Sequence, residues 1–300
     1  MITNQSLKPF HKKRVLITGG AGFVGSHLAE KLVMVCSEVI SLDNYISGRT
    51  QNHLEGVTYV DGDVNDIVDI FGLKEFDFIF HFGEYSRVEQ SLSEPHLAIS
   101  NIYKSFASLL QFWHVSGAKL IYSGSSTKFA NNGEGRHLSP YTAAKALNSE
   151  FLIDFSQWYN LPYATVYFYN VYGGRELREG KYSTVIGKFK ELKSNGAIRL
   201  PVTHPGTQRR NFTHIDDIVA GILLAAENGF GDGYGIGANE SYSILDLCEL
   251  FGCEPDFQSA SAANRMDGQL RTNKIKELGW KQTQYLDSEI KSFLQNIENK

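Results

Sequence analysis

The sequence predicts an α/β chain built on a doubly wound parallel sheet, with a smaller C-terminal lobe. Three observations carry this. From Arg14 to Ser123, short β-rich runs alternate with longer helical stretches, the pattern of strand–helix–strand units whose parallel strands each need a crossover. A glycine-rich turn stands directly between the first strand and the first long helix. Beyond Asn170 the alternation fades into segments rich in glycine, lysine and arginine, which points to a second, smaller lobe.

The strands are expected at Val15 to Thr18, Val39 to Asp43, Val57 to Asp61, Phe76 to His81, Lys119 to Ser123 and Tyr163 to Tyr169. Helices are expected at Gly25 to Val35, Ala98 to Val115 and Pro140 to Asn160, with shorter ones at Val185 to Ser194, Asp216 to Glu227 and Ile244 to Phe251. The short run Tyr234 to Ile236 should rejoin the first lobe. The predicted division is 1–170 plus about 211–237 for the first lobe, and about 171–210 plus 238–300 for the second.

With 300 residues, 42% of them apolar, the chain can bury one large core or two smaller ones. A formal charge of -4 offers no global attraction for nucleic acid or an anionic membrane, so neither is an expected partner and an anionic ligand must be held by local groups. The three cysteines, Cys36, Cys248 and Cys253, lack the spacing of a secreted disulfide scaffold and have no histidine at zinc-ligand spacing; no metal is expected. Met1 to Lys13 is polar without an apolar signal run, and no later segment approaches a membrane span, so a cytoplasmic location is expected.

The strongest motif is Thr18-Gly19-Gly20-Ala21-Gly22-Phe23-Val24-Gly25. Glycines at 19, 22 and 25 permit a tight turn, close approach of backbone N–H groups to a pyrophosphate, and close helix-to-strand packing, while the helix N-terminus favours negative charge. Asp43 ends the next strand 24 residues after Gly19, where a carboxylate can accept hydrogen bonds from the adenosine ribose. Together these are the fingerprint of a Rossmann domain, and the same carboxylate would repel a 2'-phosphate, which favours NAD over NADP. Asp63-Val64 could hold the adenine, although an aspartate there could equally cap a turn.

Tyr141 and Lys145 stand four apart at the start of a predicted helix, so both project from one face. A tyrosine hydroxyl, with an ordinary pKa of about 10, is a poor base at neutral pH, but an adjacent ammonium and an oxidised nicotinamide both favour its phenolate. Ser125, just past the carboxyl end of the strand Lys119 to Ser123, can hydrogen-bond the oxygen that loses its proton.

These residues resemble the extended short-chain dehydrogenase/reductase family, and more narrowly its UDP-sugar 4-epimerases. The resemblance runs through the TGGAGFVGSH loop, Asp43-Asn44, HFGEYSRVEQS at 81 to 91, SGSST at 123 to 127, PYTAAK at 140 to 145, YFYNVYGG at 167 to 174, RRNFTHIDD at 209 to 217, and Arg265 before ELGW at 277 to 280. It implies a Rossmann fold, a tightly held NAD, and catalysis by Ser125, Tyr141 and Lys145. It further implies that Phe23, Val24, Asn44, Phe82, Gly83, Ser123, Tyr141, Lys145 and Tyr169 contact the cofactor, with Lys145 holding the nicotinamide ribose. Arg87, Asn170, Thr184, Val185, Arg210 and Arg265 are implied to contact a nucleotide sugar, UDP-linked by the same resemblance. The reaction implied is inversion at C4 through a 4-keto sugar; the alternative is a 4-ketosugar reductase using the same residues.

Several positions depart from the family pattern. Ser126 and Thr127 stand where 4,6-dehydratases carry an Asp-Glu pair, which argues against a dehydratase, and Glu84 replaces a small residue beside the cofactor. Lys128-Phe129-Ala130 replaces a common Val-Tyr-Gly, and only 16 residues separate Ser125 from Tyr141. Relatives pair through helices corresponding to Ala98 to Val115 and Pro140 to Asn160, so a homodimer is implied. Phe106, Phe112, Trp113, Phe151, Phe155 and Trp158 on those helices could serve such an interface or the monomer core.

Overall fold

A computed structural model describes residues 2, 4–85, 88–129, 135–259 and 269–299. Its centre is a seven-stranded sheet in which all six adjacent pairs run parallel. In chain order the first six strands are β1 (Arg14–Thr18), β2 (Glu38–Asp43), β3 (Val57–Asp61), β4 (Phe78–His81), β5 (Lys119–Gly124) and β6 (Tyr163–Phe168). Spatially the chain lays down β1, β2 and β3 outward in one direction, then returns to place β4 on the other side of β1, followed by β5, β6 and the strand Gly231–Ile236.

Both faces of this sheet are covered, and the residues of a single strand show it. In β1, Val15 and Ile17 join one apolar cluster with Leu28 and Leu32 of the helix Phe23–Leu32 and with Ile218 and Ile222 of the helix Ile215–Asn228. Leu16, pointing the other way, joins a second cluster with Phe106, Leu109 and Trp113 of the helix Pro95–Ser116 and with Leu152 of the helix Pro140–Tyr159. Alternate side chains leave opposite faces of a strand, so two apolar clusters demand strands that are apolar throughout.

The expected helices are present, with ends within a few residues of the predicted ones. Pro140–Tyr159 starts where Ser139 accepts the Thr142 N–H at 3.2 Å and Thr142 Oγ1 accepts the Ser139 N–H at 2.9 Å, a reciprocal cap that satisfies two donors left over by the first turn. It ends at Asn160, whose φ of 52° takes the left-handed conformation that stops a helix.

A third apolar cluster lies apart from the sheet and gathers Phe189, Leu200, Val202, Leu247, Phe251, Leu286 and Ile290. Two short strands there, Arg199–Thr203 and Glu254–Gln258, pair in parallel, the helix Ile244–Leu250 packs on them, and the helix Leu286–Glu298 packs on that helix; the sequence predicts neither the two strands nor the last helix. Between the parts of this region, Ile215–Asn228 and Gly231–Ile236 return to the main sheet as anticipated. Asp217 fastens the C-terminal segment to that helix, its carboxylate accepting from Thr283 and Gln284 backbone N–H groups at 3.0 and 2.9 Å. Among the described residues, no helix is long and apolar enough to cross a membrane.

Candidate active site

In this sheet the order reverses between β1 and β4, so the loops leaving their carboxyl ends diverge and open a crevice between them. A cleft of about 730 Å³ occupies that crevice. It is of the size that holds a cofactor together with part of a substrate.

One end of the cleft is the glycine turn. Gly19 has a φ of +75°, and a Cβ there would meet the Gly83 backbone nitrogen at 2.8 Å. A Cβ on Gly25 would lie 2.2 Å from the Gly19 carbonyl oxygen. The turn therefore closes on itself and on the loop after β4 with room for backbone alone. Gly19, Gly22, Phe23, Val24 and Gly25 all line the cleft. This is a cradle of backbone at a helix N-terminus, suited to a pyrophosphate.

Asp43 also lines the cleft, yet it is only 7% exposed because its carboxylate braces the turn. One oxygen accepts the Ala21 N–H at 2.9 Å and the other accepts the Tyr45 N–H at 2.9 Å. Burial pushes the Asp43 carboxyl above its usual range, opposed by those two N–H groups. Asp43→Ala is expected to weaken NAD binding about tenfold or more, since it removes a charged acceptor and strands two N–H donors; calorimetric titration with NAD would measure it, and an unchanged affinity would rule out a ribose contact.

Asp63 does two things at once. It lines the cleft, and its carboxylate caps the short turn Val64–Asp66 through the Asn65 N–H at 2.8 Å while accepting from Asn44 Nδ2 at 2.8 Å. Val64 does not line the cleft with it; its side chain is buried in the core with Ile67 and Trp113.

At the other end stand the three candidate reacting residues. Ser125, Tyr141 and Lys145 line the same cleft, together with Ser123, Phe82 and Gly83. The Ser125 and Thr127 hydroxyls share a hydrogen bond of 2.5 Å. The Lys145 ammonium is buried against Glu84, the Tyr122 hydroxyl at 2.7 Å and the Ser123 carbonyl at 2.7 Å. Asn170, Thr184, Val185 and Arg210 line the far wall. Asn170 has a φ of 38° and donates to the Asn211 carbonyl at 3.0 Å, which turns the chain from β6 toward the third apolar cluster.

Tyr169 faces away from the cleft: its hydroxyl donates to the Gln269 carbonyl at 2.9 Å, and its ring packs with Phe129 and Tyr167. Phe168, one residue earlier and on the opposite side of the chain, takes the cleft position instead. Arg87 and Arg265 lie outside the described residues. Arg209 does not line the cleft and pairs with Asp246 at 3.1 Å. The sequence reading missed Tyr85, Leu138, Tyr182, Ser183 and Phe212, which also line it; loop residues without a motif carry no local signal of where the fold will bring them.

Among the aromatic residues of the two paired helices, Phe155 is half-buried against the core and the others separate into two groups. Phe106, Phe112 and Trp113 are core, whereas Phe151 is 45% and Trp158 63% exposed.

The sequence model of the NAD dependent epimerase/dehydratase family matches residues 15–237. The fold superposes on the crystal structure of UDP-glucose 4-epimerase from Thermotoga maritima, solved with UDP-glucose. That protein is 26% identical, with a TM-score of 0.87 over 95% of this chain and 99% of the other. A dTDP-D-glucose 4,6-dehydratase of Mus musculus is 28% identical over 90% of this chain and 84% of its own. A trifunctional UDP-glucose 4,6-dehydratase/UDP-4-keto-6-deoxy-D-glucose 3,5-epimerase/UDP-4-keto-L-rhamnose-reductase of Arabidopsis thaliana is 26% identical over 91% of this chain, which spans 45% of that longer protein.

Proposed function

The chain belongs to the NAD dependent epimerase/dehydratase family, and from that premise we propose that it inverts C4 of a nucleoside-diphosphate sugar, UDP-linked, through a 4-keto sugar. The observation that carries this reading is the convergence of Ser125, Tyr141 and Lys145 on the cleft that also contains the glycine turn and Asp43.

The residues of the cradle fit NAD: glycines where any side chain would collide with backbone, and a carboxylate where a 2'-phosphate would be repelled. When bound, NAD supplies a reversible hydride acceptor. Tyr141 takes the proton from O4 as the alcohol becomes a ketone and gives it back at the end of the cycle. Ser125 holds the same oxygen through its hydroxyl, and Lys145 sets the charge near Tyr141. Asn170, Thr184, Val185 and Arg210 grip the nucleotide, with Arg210 directed at the diphosphate because a guanidinium fork presents several fixed donors. Arg87 and Arg265 are assigned to the same grip from the sequence pattern.

A 4-epimerase is preferred to a dehydratase because elimination of water from the sugar needs an acid and a base beyond the tyrosine. Ser126 and Thr127, which line the cleft at the position concerned, offer only hydroxyls. We assign residues 1–170 with about 211–237 to the cofactor lobe, and about 171–210 with 238–300 to the nucleotide-sugar lobe. The exposed Phe151 and Trp158 support a homodimer, and three unpaired cysteines support a reducing, cytoplasmic setting.

Proton NMR of the NAD-loaded protein with UDP-glucose, UDP-N-acetylglucosamine and UDP-glucuronate in turn tests the proposal. The 4-epimer of at least one is the expected product. Silence with all three, combined with reduction of a 4-keto nucleotide sugar by added NADH, would replace the epimerase by a reductase.

A further inference from the structure

Glu84 stands three residues beyond the end of β4, and its side chain is only 3% exposed although it borders the cleft. A carboxylate is costly to bury unless it is paired and hydrogen-bonded. Its principal partner is Lys145, 61 residues further along the chain.

An ammonium carries three N–H bonds. On Lys145 they meet three protein acceptors: a Glu84 carboxylate oxygen, the Tyr122 hydroxyl and the Ser123 carbonyl. The second Glu84 oxygen accepts from Tyr122 at 3.3 Å and lies 3.4 Å from His81 Nε2. Thr18 Oγ1 accepts the Phe82 and Gly83 N–H groups, so its own hydrogen goes to His81 Nδ1 at 2.8 Å; this leaves the imidazole proton on Nε2, facing Glu84. The groups around the carboxylate are thus His81 from β4, Tyr122 from β5 and Lys145 from the helix Pro140–Tyr159, on which Tyr141 stands about one turn before Lys145. Burial pushes the Glu84 carboxyl up, but the Lys145 ammonium beside it outweighs burial and holds the group below its usual range.

We propose that Glu84 is a positioning residue that clamps Lys145 against β5 and cancels its positive charge, so that Tyr141 gives up its proton at a higher pH than it would beside an unpaired ammonium. The proposal rests on the reading of Tyr141 as the proton carrier and adds a control on when that carrier is ready. The charge beside Tyr141 is that of a neutral pair, and the lysine is oriented by its protein partners before any ligand arrives.

The test is a titration that needs no turnover. Tyrosinate absorbance of the NAD-loaded protein is followed against pH, and the curve for Tyr141→Phe is subtracted so that Tyr141 alone remains. The same difference is taken in Glu84→Gln and Glu84→Ala backgrounds. Removing the negative charge should lower the Tyr141 midpoint by about one pH unit or more. A midpoint unchanged in a folded variant overturns the proposal, as does a wild-type midpoint below about pH 8, far under the ordinary tyrosine value. The wild-type arm decides the matter should both variants fail to fold. If the midpoint moves but no sugar is epimerised, the functional reading falls and the charge pairing stands; if sugars are epimerised and the midpoint is fixed, only the role of Glu84 falls.

Discussion

Tyr141→Phe is expected to lower turnover by about 10²- to 10⁴-fold, the usual worth of a positioned acid–base group, while NAD binding and fold are retained. The phenyl ring keeps the volume that lines the cleft beside Tyr85, whose ring centroid lies 6.4 Å from that of Tyr141. Only the hydroxyl is lost. Because the proposed cycle has that hydroxyl act on the proton at O4 in both half-reactions, the fall should lie in kcat, with little change in KM. Steady-state kinetics on whichever UDP-sugar is turned over, with NAD content measured in parallel, would settle it. Activity within a few-fold of wild type would remove Tyr141 from the chemistry and leave the functional reading without its centre.

Gly25→Ala carries the second large effect. The added Cβ would sit 2.2 Å from the Gly19 carbonyl oxygen and 2.8 Å from Gly20 Cα, both backbone atoms of a turn pinned by the Gly19 N–H to the Leu42 carbonyl at 2.8 Å. No flexible side chain can move aside, so the turn or the helix must shift. The cost should reach the upper part of the 1–3 kcal/mol typical of overpacking. Cofactor affinity should fall more than tenfold, because the displaced backbone is the surface proposed to receive the pyrophosphate. Gly22→Ala is the measured contrast: its Cβ would meet a single atom, the Gly19 oxygen, at 3.1 Å. Thermal melts and NAD titration of both variants test the ranking. Equal behaviour of Gly25→Ala and wild type would show that the turn is more pliable than its contacts imply.

The parts of the molecule that were legible in advance share one property: their information is local. The six strands from β1 to β6 fall within two residues of their expected ends, since each is an apolar run bounded by helical periods. The glycine turn and Asp43 were readable for the same reason. In contrast, Glu254–Gln258 is a strand of mostly polar residues that contains a proline, and it exists because Arg199–Thr203, more than 50 positions earlier, offers it an edge. At the site, the shift from Tyr169 to Phe168 reflects the alternation of side chains along an extended chain, which a motif match does not register when it supplies position without facing. The bond between Glu84 and Lys145 was hidden in the same way, for the residues meet only after β4, β5 and the helix Pro140–Tyr159 have assembled. The glutamate was visible as an oddity. Its partner was not.

The return of Ile215–Asn228 and Gly231–Ile236 to the main sheet has a consequence for how the protein is made. Helix Ile215–Asn228 supplies Ile218, Val219, Ile222 and Leu223 to the cluster on the β1 face, and the strand that follows covers the outer edge of β6. A nascent chain of 200 residues would therefore carry the glycine turn and Tyr141 on a sheet with one face only partly covered, by the helix Phe23–Leu32, and one edge unpaired, features that invite association with other chains. Synthesis has to run past Ile236 before that half can close, and by then residues 171–210 of the other lobe have also emerged. The two proposed lobes would be interleaved in time as well as along the chain, so stalling or truncation between Asn170 and Asn228 should yield aggregates in place of a free-standing fragment that binds the cofactor.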